Sequence, residues 1–407
     1  LKKKLNLMNL VVDDFTAFKN LKISLVIKIN IFLLCILPFA IISGPALSDI
    51  IISINGLFFI IFVFIHKEFK YIFNKFSFIF FLWCIYLIFL SLNSNYILLS
   101  LESSLFYFRF GFFALSTWYI LDKAPVTLNF LFYSILLCFI ILFIDSIFQF
   151  ISGFNLLGFP YTEERISSFF REEKVMGGYL SRFLPVFFAI TLFLFGNTKK
   201  SHFFLNIVSL SLMFIVFLSG ERSAFFVYLL FMLMTLFLLK HRIFRLIFII
   251  VSLISVILLS YFYDPIKQRM FNKTLYQLYE QNEVLRFFSP EHQVIYKSSF
   301  KMFKEQPFFG LGPKTFREEC KKEKYKAYVK GSGSLHGCQQ HPHNSYIQLL
   351  VETGLVGSSV LIFLFIYITY LLSKNLYYDL FYKKKLYNDF FICFLLSIFL
   401  NFFPIIP

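Results

Sequence analysis

A chain of 407 residues that is 58% hydrophobic and only 15% charged, with a mean hydropathy of +0.73, cannot be an ordinary water-soluble domain; it reads as a polytopic membrane protein. The formal net charge of +16 would suggest nucleic acid in a soluble protein, but no DNA- or RNA-binding signature accompanies it. In a membrane chain the first explanation is basic loops kept on the cytoplasmic side.

Crossing a hydrocarbon core of about 30 Å takes roughly 20 apolar residues. Eleven runs approach that length, near 25–43, 48–65, 76–93, 103–121, 127–151, 176–195, 203–219, 223–240, 243–262, 350–372 and 387–404. The first follows a basic start without a small-residue cleavage site, so it is read as a span and not as a signal peptide. With the N-terminus inside, the inner segments hold Lys67, Lys70, Lys75, Lys123, Lys199, Lys200, Lys240, Arg242, Arg245, Lys374 and Lys383 to Lys385, besides the N-terminal lysines. The short outer loops offer only Arg165, Arg171, Lys174 and Arg222, which is the bias the positive-inside rule demands. The expected division is a transmembrane bundle over 1–263, a large outer loop over 264–344, and C-terminal membrane helices over 345–407.

Charged groups at the outer ends of spans are expensive in lipid and are inspected for function: Arg109, Asp145, Arg165, Glu173, Arg182 and Arg222. For any one of them an ion pair or a snorkelling side chain suffices. Asp145 and Gln149, four apart on one helix face, are expected to form an interhelical hydrogen-bond pair. Several arginines on one leaflet suggest more, because guanidinium forks grip phosphate through two bonds and stay charged.

Within the outer loop, 291–306 has helical periodicity. Tyr296, Phe300 and Phe303 form one stripe and Lys297, Lys301 and Lys304 the stripe beside it. Two readings stand: a helix lying on an anionic leaflet, or one packed on the loop's own core with solvated lysines. Pro307-Phe308-Phe309-Gly310-Leu311-Gly312-Pro313 follows as a turn able to bring backbone close to a partner. Of six cysteines, Cys35, Cys84, Cys138 and Cys393 lie in apolar spans as small core residues, whereas Cys320 and Cys338 share the outer loop. A disulfide between those two is expected. A metal site drawn from His336, Cys338, His341 and His343 is the rival reading, but the spacing matches no usual zinc motif.

The loop closes on His341-Pro342-His343-Asn344-Ser345-Tyr346-Ile347-Gln348, a polar turn feeding a long apolar helix, with Asn344 or Ser345 as its N-cap. A histidine at a helix N-terminus is discouraged from carrying charge, and a neutral imidazole can accept a proton. His343 is the candidate base and His341 the fallback; the plain alternative is that His343 only caps its helix. Glu352 is nine residues on, which on a continuous helix is half a turn out of phase with His343. Gly354 and Gly357 mark where that helix would break or admit a close neighbour.

Taken in order, Ser219-Gly220-Glu221-Arg222-Ser223-Ala224, the 307–313 turn, and His343-Asn344-Ser345-Tyr346-Ile347-Gln348 with Glu352-Thr353-Gly354-Leu355-Val356-Gly357 resemble the bacterial O-antigen ligase and O-antigen polymerase superfamily. Arg165-Ile166-Ser167-Ser168-Phe169-Phe170 leading to Gly177-Gly178-Tyr179-Leu180-Ser181-Arg182, Gly44-Pro45-Ala46-Leu47-Ser48-Asp49 and Phe106-Tyr107-Phe108-Arg109-Phe110 fit the same pattern. The resemblance implies an all-α, GT-C-like membrane glycosyltransferase of the bacterial inner membrane, with one large periplasmic loop. Such enzymes move a glycan from undecaprenyl diphosphate to a lipid A-core hydroxyl, or in the polymerases to another carrier-linked glycan. The family mechanism is metal-independent and needs no cofactor: a loop histidine serves as base and arginines hold the diphosphate. Motif by motif, His343 matches the histidine and Arg222 one arginine; Arg286 fits the second by order, though its flanking residues match poorly. Arg165, Arg109, Asn344 and Glu352 complete the candidate substrate contacts. The family has about twelve spans, so a truncated C-terminus is expected here. A transporter or flippase of a lipid-linked or anionic solute is the reading from another class; it predicts broken spans near the midplane and internal repeats, which are not evident.

Overall fold

The computed structural model describes residues 24–161, 165–278, 288–329 and 336–404. The chain is a polytopic all-α membrane protein. Among the described residues nine helices are long and apolar enough to cross a membrane, and two shorter apolar helices accompany them. In chain order these are α1 (Leu25–Ser43), α2 (Pro45–His66), α3 (Lys75–Leu92), α4 (Ile97–Ser104) continuing into α5 (Phe108–Lys123), α6 (Thr127–Ser152), α7 (Met176–Phe195), α8 (Lys199–Leu218), α9 (Arg222–Leu238) and α10 (Arg242–Phe262). Helix α11 (Pro290–Glu305) lies in the loop, and α12 (Ser345–Tyr382) and α13 (Asp389–Asn401) close the chain. The eleven predicted runs thus each coincide with an apolar helix. The two shorter ones are α9 and α13.

The helix ends follow from local chemistry. Ser24, Asn74 and Thr198 each accept a bond from the amide three residues on, at the starts of α1, α3 and α8. Pro45 opens α2, where a missing N–H costs nothing.

The described chain forms two compact units. One is built from 24–67, 112–270 and 368–401; the other comprises 68–111, 271–367 and the segment from 402. In the first, α7 and α8 are the most buried helices: two thirds of the apolar window of each lies inside. They pack against α6, α9 and α13. Phe132, Phe187, Phe188, Phe217 and Phe231 are fully buried there, with Phe132 stacked on Phe187 at 5.3 Å and Phe188 edge-on to Phe231 at 5.0 Å. Asp145 and Gln149 do not pair with each other or across helices. The Asp145 carboxylate accepts from the Leu156 amide at 2.8 Å and from the Ser168 hydroxyl, while Gln149 Oε1 accepts from the Ser168 amide at 2.8 Å. Both are fully buried and hold the 153–170 connection, because that irregular backbone needs donors and acceptors which lipid does not supply.

In the second unit, the loop after 271 has a core of its own. Val294, Ile295 and Met302 of α11 meet Leu311, Phe316, Cys320, Tyr325 and Val351. Cys320 and Cys338 form a disulfide with Cα atoms 4.9 Å apart. Helix α11 starts at the N-cap Ser289 and presents two different faces. Its aliphatic face is buried, Tyr296 packs partly buried against the same core, and Phe300 turns outward, 53% exposed. The helix thus packs on the loop's own core, as the second of its two readings expects.

Candidate functional site

The site residues fall into two groups, one in each unit. In the first unit the Ser219-Gly220-Glu221 turn joins α8 to α9, and Gly220 takes the positive φ (64°) that a tight turn requires. The Glu221 carboxylate accepts from the Gly177 amide at 2.6 Å and the Gly178 amide at 3.0 Å. Those amides are orphan donors in the first turn of α7, so a side chain from another element caps that helix. A Cβ on Gly177 would come within 2.5 Å of Ser219 Oγ, which explains a glycine there. Burial pushes the Glu221 carboxyl up, opposed by the two amides and by Arg165.

Two guanidinium groups fold over the same turn. Arg165 Nε donates to Ser219 O at 3.2 Å, and its terminal nitrogen to Lys174 O at 3.1 Å. Arg269 Nε donates to Gly220 O at 3.1 Å. A Cβ on Gly220 would meet Arg269 and Arg165 side-chain carbons at 2.9 and 3.0 Å, so the turn is closely covered from both sides. Arg222 follows at the first position of α9, half-buried. Arg165 and Arg269 therefore cover the turn that Arg222 follows, and Arg269 is the one that sequence reasoning missed. Of the other candidates, Arg182 is exposed, Arg109 lies over the ring of Phe110 at 5.0 Å, and Arg286 falls outside the described residues.

In the second unit Asn344 is the N-cap of α12. Its Oδ1 accepts from the amides of Tyr346 (3.0 Å) and Ile347 (3.1 Å), and its Nδ2 donates to Pro404 O at 2.8 Å. Tyr346 likewise donates from its hydroxyl to Phe402 O. His343 precedes the cap in a left-handed conformation (φ 56°), which non-glycine residues seldom adopt, although His, like Asn and Asp, does so more often than most. Its imidazole is exposed, 4.3 Å from the ring of His341 and 5.9 Å from that of His292. Partial burial, then the neighbouring His341 and His292, hold it below the ordinary histidine range. His292 comes from the first turn of α11, where its Nδ1 lies 2.9 Å from Ser289 Oγ. Nothing in the sequence marked it, because only the fold of the loop brings it to His343.

Glu352 does not approach the histidines. It is 6% exposed, with one oxygen 3.5 Å from the Phe316 amide and the other accepting from Gln348 at 3.3 Å. The break in α12 comes after it, at Gly354 (φ 65°, ψ −166°), a conformation essentially restricted to glycine. At that break the Pro307–Gly312 segment lies against the helix. Leu311 N donates to Val351 O (2.9 Å) and Gly312 N to Glu352 O (3.0 Å), while Leu355 N donates to Pro307 O (2.8 Å) and Val356 N to Phe308 O (3.2 Å). A continuous helix would have joined 355 to 351 and 356 to 352. The strap supplies partners to both halves of each lost bond, and Tyr86 adds its hydroxyl to Thr353 O at 2.8 Å. Gly357 lies in the helix beyond the break, closely covered by the Thr353 side chain.

Cys338 is taken by the disulfide, and among the described residues no group of three or more His, Cys, Asp or Glu is arranged to hold a metal ion.

These observations define an all-helical membrane protein with a capped histidine turn on one unit and an arginine-covered turn on the other. Residues 207–369 match the family model described as O-Antigen ligase, a stretch running from α8 into α12. This match supports the resemblance to the O-antigen ligase superfamily. No curated protein matches the chain.

Proposed function

We propose that the chain is an O-antigen ligase-type glycosyltransferase, and that His343 is its base. The observation that carries this reading is the His343 turn itself, within the matched segment: an exposed histidine on a capped left-handed turn, held below the ordinary histidine range by partial burial and by His341 and His292. The donor is a glycan on undecaprenyl diphosphate and the acceptor a saccharide hydroxyl of lipid A-core, met at the periplasmic face of the bacterial inner membrane. The bundle over 1–263 and the helices from 345 form the membrane part, and 264–344 the periplasmic loop.

The acceptor oxygen attacks the anomeric carbon as the bond from that carbon to the diphosphate oxygen breaks. The hydroxyl proton passes to His343, and the bond electrons leave with the diphosphate. Attack opposite the leaving group inverts the anomeric centre. Arg222, Arg165 and Arg269 are assigned to the diphosphate, where fixed guanidinium groups offset charge that grows in the transition state. No metal is required, because the guanidinium groups do the work of a Lewis acid.

Polymerase activity uses the same chemistry on another acceptor. Complementation of a ligase-deficient and a polymerase-deficient strain, reading glycan attachment and chain length separately, distinguishes them; restored attachment is the expected result. The His343→Ala protein, checked for folding and insertion, should lose transfer by about 10²–10⁴-fold. Retained transfer would remove His343 as the base.

A further inference from the structure

The loop contains a cavity of about 780 Å³ that the proposed chemistry does not use. One wall is the outward stripe of α11, with Tyr296, Phe300, Lys297 and Lys301; the other is the first two turns of α12, with Ile347 and Leu350. The size falls in the range of sites that hold a small ligand, roughly 300–1,000 Å³. Three observations say what it fits. Its lining is mainly apolar, and one wall is the start of a helix long and apolar enough to cross a membrane. Lys297 and Lys301 have no carboxylate partner among the described residues; Lys301 donates only to Lys326 O. The Tyr296 hydroxyl is buried without a hydrogen-bond partner among those residues, a state that a ligand oxygen relieves.

We propose that this cavity holds an anionic phospholipid. One acyl chain lies on Ile347, Leu350 and Phe300, and the phosphate sits at Lys297 and Lys301 with an oxygen on the Tyr296 hydroxyl. A zwitterionic lipid would bring its own cation to the two lysines and is disfavoured. The site is distinct from the diphosphate arginines and does not depend on the transfer reaction.

The test uses the full chain in nanodiscs of phosphatidylcholine doped with phosphatidylglycerol that carries a photoactivatable group in one acyl chain. Labelled peptides should cover 293–301 and 347–351. Labelling should fall at least about tenfold in K297Q/K301Q, since each lysine near a membrane anion is worth about a factor of five. It should persist in K297R/K301R, which keeps the charge and guards against a folding artefact. Equal labelling by the phosphatidylcholine analogue, or no loss in K297Q/K301Q, would overturn the proposal. Displacement of the label by undecaprenyl diphosphate would also overturn it, and would give the cavity to the donor lipid.

Discussion

His343 combines three features that rarely meet on one side chain: exposure, a left-handed backbone and two neighbouring imidazoles. Partial burial disfavours its cation first and the neighbouring His341 and His292 add to that, so its proton leaves at a lower pH than from a free histidine, whose value is about 6.5. The neutral form prevails above that lowered value, so a reaction that uses His343 as proposed fails only as pH falls through it. Transfer measured against pH should stay level through neutrality and decline on the acid side, below the ordinary histidine range. In H292Q/H341Q the acid limb should move to higher pH, because the two repelling neighbours are gone. The stability term has the same sign: unfolding takes up a proton between the two values, so acid destabilises the folded turn.

Arg222 tests the other half of the reading. Lysine keeps the charge but offers one point donor where the guanidinium offers a fork. Arg222→Lys should lower transfer by one to two orders of magnitude, about 1.5–3 kcal/mol if a charge-assisted bond to the diphosphate is lost. Donor affinity, measured separately from turnover, should fall with it. Unchanged donor binding would remove Arg222 from the diphosphate.

At the scale of elements, the decisive feature is the interrupted α12. A helix entering lipid cannot leave backbone groups unpaired, and here the 307–312 strap pairs what the Gly354 break exposes. Gly310 and Gly354 face each other across this contact: a Cβ on Gly310 would come 2.5–2.6 Å from backbone atoms of 352–354, and one on Gly354 would collide with the Phe308 carbonyl. Gly354→Ala should therefore cost about 3 kcal/mol or more, from the disfavoured backbone and the displaced strap together. Thermal unfolding of the purified protein in detergent measures it, and a midpoint equal to the parent would show that the strap is not fixed. The prediction is about folding, and it holds whether or not the protein transfers glycan.

At the scale of the whole molecule, the sequence and the structure agree most where one long-range force decides. Hydropathy alone located the spans, because lipid demands uninterrupted apolar runs and little else satisfies it. The Asn344 cap was legible for a similar reason: its partners lie two and three residues away. Arg269 and His292 were not legible. Arg269 reaches Gly220 across 49 residues, and His292 reaches His343 only once the loop has closed on its own core. Glu352 stood out by its charge in an apolar run, and the structure turns it toward the Phe316 amide and Gln348 and away from the histidines. Asp145 and Gln149 were located correctly and given the wrong partners, because pattern shows which face a residue occupies and not what lies opposite. The 307–313 glycines were marked as permitting close approach, but which segment they approach is a tertiary fact.

The clasp beneath the histidine turn has a practical side. Asn344 and Tyr346 both fasten to the main chain just past α13, at Pro404 and Phe402. Mechanical strain at that point, from a reporter or affinity tag fused close behind it, would be felt four residues or fewer from the imidazole. A fused segment is therefore better kept away from residue 404.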